Sequence, residues 1–378
     1  MGDQLVPLIM PIYGTRPEAI KMAPIIAELK RSEYLDSFVT VTGQHRSMLD
    51  QVNRLFNITP DHDLNIFEPG QSLTGIFSRT IDGLDKLFSV NRPDAVLVQG
   101  DTTTSTAAAM AAFYHRVPVV HVEAGLRSGN PFSPFPEEGN RKITSQLASL
   151  HMAPTAASRE NLLRENVPDK DIVITGNTVI DALFMTVEKQ VPFTDPRLEQ
   201  LTEQDPRILL VTTHRRENLG EAMRGMGRAL ARIADAEPDL QIVLPLHLNP
   251  VVRAAVVPAL QDKPNVMLLE PLDYGEFCRL LAMSHIVLTD SGGVQEEAPS
   301  LGVPVLVMRE NTERPEAVEA GVAKLVGTHE DRIFVEVAAL LHNEKLYTSM
   351  SEAMNPYGDG TAARKSVDSL TELFFDAY

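Results

Sequence analysis

The sequence predicts an α/β protein with two doubly wound, Rossmann-like domains that face a cleft. Short runs rich in valine and isoleucine recur along the 378 residues, and amphipathic helical patterns separate most of them. Strands that are apolar throughout and alternate with helices form parallel sheets covered on both faces. A polar stretch that contains prolines and lacks a strand pattern divides the runs into two groups, which predicts two domains.

The predicted strands follow this division. In the first domain they are Leu8–Tyr13, Phe38–Thr42, Ala95–Gln99, Pro118–Val122 and Ile172–Thr175. In the second domain they are Ile208–Thr212, Gln241–Leu246, Val266–Leu269, Ile286–Thr289 and Pro304–Met308. Helices are predicted between most of them, for example over Leu73–Phe88, where apolar residues share one face. Pro24 is expected to disrupt the first helix, because proline lacks an amide hydrogen and its ring clashes with the preceding turn.

The domain boundaries follow from the same pattern. We assign residues 1–185 to an N-terminal Rossmann-like domain, 186–206 to a linker and 207–360 to a C-terminal, nucleotide-binding Rossmann-like domain. Residues 361–378 form a last helix that could pack back on the N-terminal domain.

Composition limits the possible partners. The net charge is −17, from 34 basic and 51 acidic side chains, which argues against nucleic-acid binding. One cysteine excludes an intramolecular disulfide, and no apolar stretch is long enough for a membrane span. The first residues lack the pattern of a cleavable signal, so we expect a cytoplasmic protein without a membrane partner. An anionic substrate would require a local basic cluster.

Polar residues directly after the strands are the candidates for function, because parallel sheets bind ligands beyond the carboxyl ends of their strands. Arg16 and Lys21 form either a solvated pair or a partner for phosphate or facing carboxylates. Asp101 either caps the next helix or faces a ligand. Glu123 forms either a structural salt bridge or part of a site, and Glu137 could simply complement a helix dipole.

The second domain offers a different chemistry. His214, Arg215 and their neighbours "HRREN" suit an anion or a leaving group, and a satisfied polar loop is the alternative. His247 is at least as well explained as a core or interface histidine. The turn Ser291–Gly293 could offer backbone amides to phosphate.

Several common sites are not indicated. The sequence has neither an H-E-x-x-H motif nor spaced cysteines, so no metal site is predicted. It has no G-x-G-x-x-G after a strand, no Walker motif and no G-x-S-x-G elbow. No cofactor is therefore expected.

The motifs together resemble one family, the bacterial non-hydrolysing UDP-N-acetylglucosamine 2-epimerases. They run in order from about Gly14 to Gly360: "GTRPEAIKMAP", "GDTTT", "HVEAGLR", "PEEGNR", "GNTVIDAL", "HRREN", "HLNP", "DSGGVQEEAPSLGVPVLVMR", "TERPEAV" and "NPYGDG". The resemblance implies a GT-B-like fold, usually as a homodimer. It also implies interconversion of UDP-N-acetylglucosamine and UDP-N-acetylmannosamine for cell-surface polysaccharide synthesis.

The resemblance also assigns roles to residues. The implied acid/base residues are Asp101, Glu123, Glu137 and His214. The implied UDP-sugar contacts are Arg16, Lys21, Phe277, Ser291, Gly292, Gly293, Glu297 and Arg314. Gln44, Arg215 and His247 could bind a second, activating UDP-N-acetylglucosamine. Leu272 and Thr213 depart from some relatives, which have glutamine and glycine there, and these departures bear on uracil contacts and on the presentation of His214.

The chemistry that the family implies avoids a carbanion at C2. UDP leaves C1 while a base removes the C2 proton, giving 2-acetamidoglucal, and UDP then returns to C1 while C2 is reprotonated on the other face. Which carboxylate serves which face stays open. Three alternatives also stay open: a hydrolysing epimerase that releases free N-acetylmannosamine, a GT-B-type glycosyltransferase, and a non-catalytic UDP-sugar sensor.

Overall fold

The computed structural model describes residues 6–375 and divides them into two compact units, each with its own parallel sheet. The first unit comprises the described parts of Met1–Met185 and Tyr357–Tyr378, and the second comprises Thr186–Pro356. None of the helices within residues 6–375 is long and apolar enough to cross a membrane.

The first unit has an eight-stranded sheet. Its strands are β1 (Leu8–Tyr13), β2 (Asp36–Ser37), β3 (Thr40–Val41), β4 (His62–Asp63), β5 (Ala95–Gln99), β6 (Val119–Val122), β7 (Leu150–Ala153) and β8 (Ile172–Ile174). The helices in this part of the chain are α1 (Arg16–Leu29), α2 (Arg46–Leu55), α3 (Leu73–Val90), α4 (Thr103–Tyr114), α5 (Glu137–Leu147), α6 (Ala156–Arg164) and α7 (Thr178–Glu188). The strand order is β4-β3-β1-β5-β6-β7-β8, with β2 also paired to β1.

The second unit has a six-stranded sheet in the order β11-β10-β9-β12-β13-β14. Its strands are β9 (Arg207–Thr212), β10 (Leu240–Pro245), β11 (Val266–Leu269), β12 (Ile286–Thr289), β13 (Val305–Val307) and β14 (Ala323–Leu325). Its helices are α8 (Pro196–Gln204), α9 (Glu221–Ala236), α10 (Pro250–Leu260), α11 (Tyr274–Met283), α12 (Gly292–Glu297), α13 (Pro315–Glu319), α14 (Glu330–His342) and α15 (Glu344–Ser351). The last helix, α16 (Ala362–Phe375), belongs to the first unit.

The topology confirms the predicted pair of doubly wound sheets. Every described strand pair is parallel, and in each sheet the strand order reverses beside the first strand of the unit. The reversals lie between β1 and β5 and between β9 and β12. Loops diverge at such a point and leave room for a ligand at the carboxyl ends of the strands. Arg16 and Asp101 follow the first pair of strands, and His214 and Ser291 follow the second.

Four strands and one proline differ from the sequence-based expectation. Strands β2 and β4 were not predicted and have only two residues each. Strand β7 was not predicted, because His151 interrupts its apolar pattern, and β14 was not predicted because it is short and contains Lys324. The expected disruption at Pro24 was wrong: α1 continues through Pro24 to Leu29. Pro24 and most of its helical neighbours are buried, so packing of the helix holds the chain in place despite the missing amide.

The segment assigned to a linker, residues 186–206, contains α8. Asp195 caps this helix by accepting the amide of Arg197 at 2.9 Å, and Pro196 occupies the first helical position. Leu198 and Leu201 are buried on its inner face. Prolines and acids that indicated a linker in the sequence therefore start a helix here.

The chain returns to the first unit at Tyr357, and α16 packs against α1. The buried carboxylate of Asp181 caps α16 by accepting the amides of Ala362 at 3.3 Å and Ala363 at 2.9 Å. Burial raises the pKa of Asp181.

Two buried histidines lie opposite each other on neighbouring strands of the first sheet. His121 on β6 and His151 on β7 are register partners, and both are buried. Burial lowers the pKa of His121 to about 3 and that of His151 to about 4. Both rings are therefore neutral in the folded chain at neutral pH.

We predict that these histidines make the first unit sensitive to acid. Their folded pKa values are depressed, so their contribution to stability is complete above the unfolded value near 6.5 and is lost as pH falls toward 4 and 3. At pH 5 each should lower the free energy of unfolding by about 2 kcal/mol relative to pH 7.5. Urea unfolding at the two pH values measures this. His151→Gln should flatten the pH dependence, whereas the exposed control His329→Gln should not; equal slopes would contradict the prediction.

Candidate active site

A buried carboxylate joins the loops that follow β1 and β5. Glu18 is fully buried and accepts hydrogen bonds from the amides of Gly14 at 3.0 Å and Thr15 at 2.8 Å. It also accepts the hydroxyl hydrogen of Thr102 at 2.6 Å. Burial raises the pKa of Glu18, and these donors oppose the rise. The two loops at the strand reversal are thus fixed to each other through one side chain.

Gly14 allows these loops to approach closely. A Cβ on Gly14 would lie 2.0 Å from Oγ1 of Thr42 and 2.7 Å from Oγ1 of Thr104, so no other residue fits. Thr104 in turn donates to Oε1 of Gln44 at 2.8 Å, which brings the buried Gln44 into the same group. Arg16, in the first turn of α1, is exposed beside them.

Glu123 has an unusual backbone and a buried, fully engaged carboxylate. Its φ is 63°, a left-handed conformation that a residue with a side chain adopts at a cost of about 1–3 kcal/mol. Nζ of Lys21 lies 2.5 and 2.6 Å from the two carboxylate oxygens. Gln99 also donates to it, and Asn177 donates at 3.3 Å. Strained residues held by several partners are typical of functional sites.

Asp101 and Glu137 are related through helix α5. Asp101 does not cap α4, since the adjacent Thr102 does so. Instead Oδ2 of Asp101 accepts Nε of Arg141 at 2.8 Å and lies 2.6 Å from its Nη2. Glu137 lies one turn before Arg141 on the same face of α5. Its Oε2 is buried and accepts no hydrogen bond within the described chain.

In the second unit, the turn Ser291–Gly293 lies against the loop that follows β9. Nε of Arg215 donates to the carbonyl oxygen of Asp290 at 3.3 Å. A Cβ built on Gly292 would lie 3.7 Å from Nη2 of Arg215, so the guanidinium stands beside the turn. Arg215 also lies 3.7 Å from Glu313.

Two further groups border this turn. The buried Glu297 accepts the hydroxyl hydrogen of Tyr274 at 2.9 Å, and its Oε2 would lie 3.9 Å from a Cβ on Gly293. The imidazole rings of His214 and His247 stack with centroids 5.7 Å apart. Burial is the main cause that lowers the pKa of His214.

Other predicted residues have partners elsewhere. Arg314 binds Glu296, which agrees with a structural role for that carboxylate, and donates to the carbonyl oxygen of Glu313 at 3.1 Å. Phe277 is half-buried on α11. The structure thus groups Lys21 with Glu123, and Arg215 with Ser291–Gly293, but it assigns Arg314 to an ion pair.

Sequence reasoning missed several partners of the site. They are Glu18, Gln99, Arg141, Asn177 and Asp290. Glu18 lies at the start of the first helix, Gln99 and Asp290 lie at strand ends, and Asn177 directly precedes α7. Except for Arg141, the positions of these residues at helix starts and strand ends could have indicated a role in the site. Their hydrogen-bond partners were not predictable, because the bonds join loops that are far apart in sequence.

Two parallel-sheet units with carboxylates, cations and a glycine turn at their strand reversals are typical of a GT-B-like enzyme. The sequence model of the family described as UDP-N-acetylglucosamine 2-epimerase matches residues 27–371. The chain therefore belongs to this family of isomerases, and the resemblance stated above is confirmed.

Individual relatives agree over nearly the whole chain. A UDP-N-acetylglucosamine 2-epimerase of Bacillus subtilis (strain 168) is 54% identical over 370 residues, covering 98% of this chain and 96% of the relative. One from Salmonella typhimurium (strain LT2) is 52% identical, covering 96% of this chain and 98% of the relative. The crystal structure of the UDP-GlcNAc 2-epimerase from Neisseria meningitidis bound to UDP-GlcNAc is similar with a TM-score of 0.85 and 47% identity, covering 97% of this chain and 100% of that one.

We predict that Glu18 stabilises the first unit. Glu18→Ala leaves two amides and a hydroxyl without an acceptor and should lower the free energy of unfolding by about 1–3 kcal/mol. Glu18→Gln should retain more of the stability, because its amide oxygen can still accept the Gly14 and Thr15 amides. Urea unfolding checks both, with Glu28→Ala on the same helix as the control. An effect of Glu18→Ala as small as that of Glu28→Ala would show that the loops are held by other contacts.

Proposed function

We propose that the chain interconverts UDP-N-acetylglucosamine and UDP-N-acetylmannosamine by eliminating UDP to 2-acetamidoglucal and adding it back. We further propose that the product supplies cell-surface polysaccharide synthesis. The observation that carries the proposal is the strained, buried Glu123 with Lys21 at 2.5 Å, beside the loop of Asp101 in a chain of this family. The Neisseria meningitidis relative, bound to UDP-GlcNAc, supports the choice of substrate.

Elimination is the route that the chemistry of the sugar favours. The C2–H bond is not acidic, because no carbonyl is attached to C2. When the C1–O bond breaks, its electron pair leaves with UDP while a base takes the C2 proton, and a C1–C2 double bond forms. Re-addition of UDP to C1 with delivery of a proton to the other face of C2 completes the inversion. The route consumes no redox equivalent.

Three carboxylates with different surroundings suit proton transfer on two faces of a ring. Glu123 is held by an ammonium and two amides, and Asp101 by the guanidinium of Arg141. Glu137 has a buried oxygen that accepts no hydrogen bond within the described chain, so we assign it as a proton acceptor.

The second unit supplies the groups for the nucleotide. The amides of Gly292 and Gly293 and the Arg215 guanidinium can stabilise the charge that develops on the leaving diphosphate. The Ser291 amide donates to Oγ1 of Thr289 at 2.9 Å and holds the start of the turn. Glu297 lies beside the turn and is the proposed acceptor for ribose hydroxyls. His214 completes the proposed set of acid/base residues.

Two further features of the family enter as proposals. Gln44, Arg215 and His247 are the candidates for contacts to a second, activating UDP-N-acetylglucosamine. A homodimer is the proposed assembly, and exposed apolar side chains at the ends of the adjacent helices α3 and α4 support it. These side chains are Val90, Phe113 and Tyr114, which are 85%, 53% and 68% exposed.

The reaction predicts exchange of the C2 proton with solvent. Incubation with UDP-N-acetylglucosamine in D₂O should place deuterium at C2 of both UDP-sugars, which NMR detects. Retention of the C2 proton during epimerisation would exclude the elimination route. Free N-acetylmannosamine that accumulates in step with UDP would identify the hydrolysing reaction instead. Asp101→Asn, Glu123→Gln and Glu137→Gln should each lower kcat by about 10²–10⁴-fold, whereas the exposed Glu160→Gln should not.

The glycine turn predicts a separable loss of nucleotide binding. In Gly293→Ala the added Cβ would lie 3.9 Å from Glu297, an ordinary contact, so the unfolding midpoint should not change. The methyl group should nevertheless keep a diphosphate from the backbone amides and weaken UDP binding by about 10-fold or more. Calorimetric titration with UDP measures this, with Gly139→Ala as the control. Unchanged affinity would remove the turn from the binding site.

A further inference from the structure

Asp290 is a fully buried carboxylate that organises the loop after β9. Its Oδ2 accepts the Thr213 hydroxyl at 2.9 Å, the Arg215 amide at 3.0 Å and Nδ2 of Asn218 at 3.1 Å. The amide of His214 lies 3.1 Å from both carboxylate oxygens. All four groups donate, so the oxygens of Asp290 act as the acceptors that hold this loop together.

The same carboxylate faces one ring nitrogen of His214. Nδ1 lies 3.3 Å from Oδ1 of Asp290, while the side chain remains 41% exposed. The negative charge at this distance favours a proton on Nδ1, which leaves Nε2 with its lone pair. Asp290 therefore acts on the ring from its buried side through its charge.

The other groups around His214 keep the ring neutral before a ligand arrives. His247 stacks on it from the loop after β10, and its Nδ1 accepts the Asn249 amide at 3.1 Å. Burial, and then the neighbouring His247 and Arg215, lower the pKa of His214, and Asp290 raises it. Glu313, 3.7 Å from Arg215, offsets part of the guanidinium charge.

We propose that Asp290 is a positioning residue for His214, and that binding of a diphosphate at the adjacent Ser291–Gly293 turn draws a proton from solvent onto Nε2 of His214. The inference rests on the proposed function, in which that turn and Arg215 bind the diphosphate of UDP. Asp290 then compensates the imidazolium charge from one side and the diphosphate from the other. The Thr213 hydroxyl moderates this effect, because it takes up part of the negative charge of Asp290.

The proton balance is simple. Free protein carries Asp290 as a carboxylate and His214 as a neutral imidazole. Binding takes one proton from the buffer and breaks no covalent bond. UDP release returns that proton. His214 thereby gains a second N–H donor only while a diphosphate is present, which suits a group that stabilises a leaving diphosphate.

A purely structural Asp290 would give different results. In that case Asp290 would only hold the loop through its amides, and the ionisation of His214 would be independent of both Asp290 and Thr213. Measurements of protonation separate the two cases, since they do not depend on how much activity a variant retains.

The first experiment measures protons taken up with UDP. Titration calorimetry at pH 7 in buffers of different ionisation enthalpy should give about one proton more per UDP in the wild-type chain than in His214→Gln. UDP binds in both proteins, so the difference between their proton numbers excludes the protons that UDP itself takes up or releases. Wild-type affinity should fall by about 10-fold per pH unit above the bound-state pKa. Equal proton numbers in the two proteins would overturn the inference and leave UDP binding intact; absence of UDP binding would overturn both.

The second experiment needs no ligand. NMR titration of protein labelled at histidine Cε1, with the His214 signal identified by its loss in His214→Gln, reports the pKa of His214 in the free chain. That pKa should fall in Asp290→Asn and rise in Thr213→Val, which removes one donor from Asp290 without changing side-chain size. Thr213→Ser should match the wild type. If Asp290→Asn does not fold, Thr213→Val and Thr213→Ser still decide. An unchanged pKa in Thr213→Val would overturn the inference.

Discussion

The interaction on which both sites depend is a hydrogen bond from a loop amide to a buried carboxylate. In the first unit Glu18 receives the amides of Gly14 and Thr15, and in the second unit Asp290 receives those of His214 and Arg215. Strand-end loops carry amides that no ladder satisfies, and a buried unsatisfied amide is costly. One carboxylate per unit satisfies several of them and fixes the side chains of the loop at the same time. The functional groups therefore lie on loops that are as well held as the sheets.

The two units share this buried carboxylate but present different charged groups around it. Around Glu18 the loops present carboxylates that are paired with Lys21 and Arg141, so charge is balanced residue by residue. Around Asp290 the loop presents a histidine and an arginine beside a glycine turn, so the local surface can receive an anion. A chain with a net charge of −17 needs such a local arrangement to bind a diphosphate.

The fold was predictable from the sequence, and the contacts of the candidate residues were not. Valine- and isoleucine-rich runs indicated the parallel strands, because strands buried on both faces must be apolar. Strand β7 was not predicted because it contains the polar residue His151. Burial keeps this ring neutral and so allows it in the strand, but burial depends on the tertiary structure. Likewise, Asp101 was a possible helix cap in the sequence, and only the placement of α5 shows that Arg141 binds it. Residues 186–206 were predicted to be a linker because α8 buries only Leu198 and Leu201, so its apolar pattern is short.

The return of the chain to the first unit has a consequence for its synthesis. Asp181 accepts the first amides of α16. The ribosome must synthesise Thr186–Pro356 after Asp181 and before α16. At ribosomal rates this interval lasts roughly 10–30 s. During that time the surface of α1 that α16 will cover is exposed, and Asp181 has no amides to accept. The second unit, in contrast, is one continuous segment and can fold as soon as it has left the ribosome. The first unit is thus the last to be completed, although its synthesis begins first.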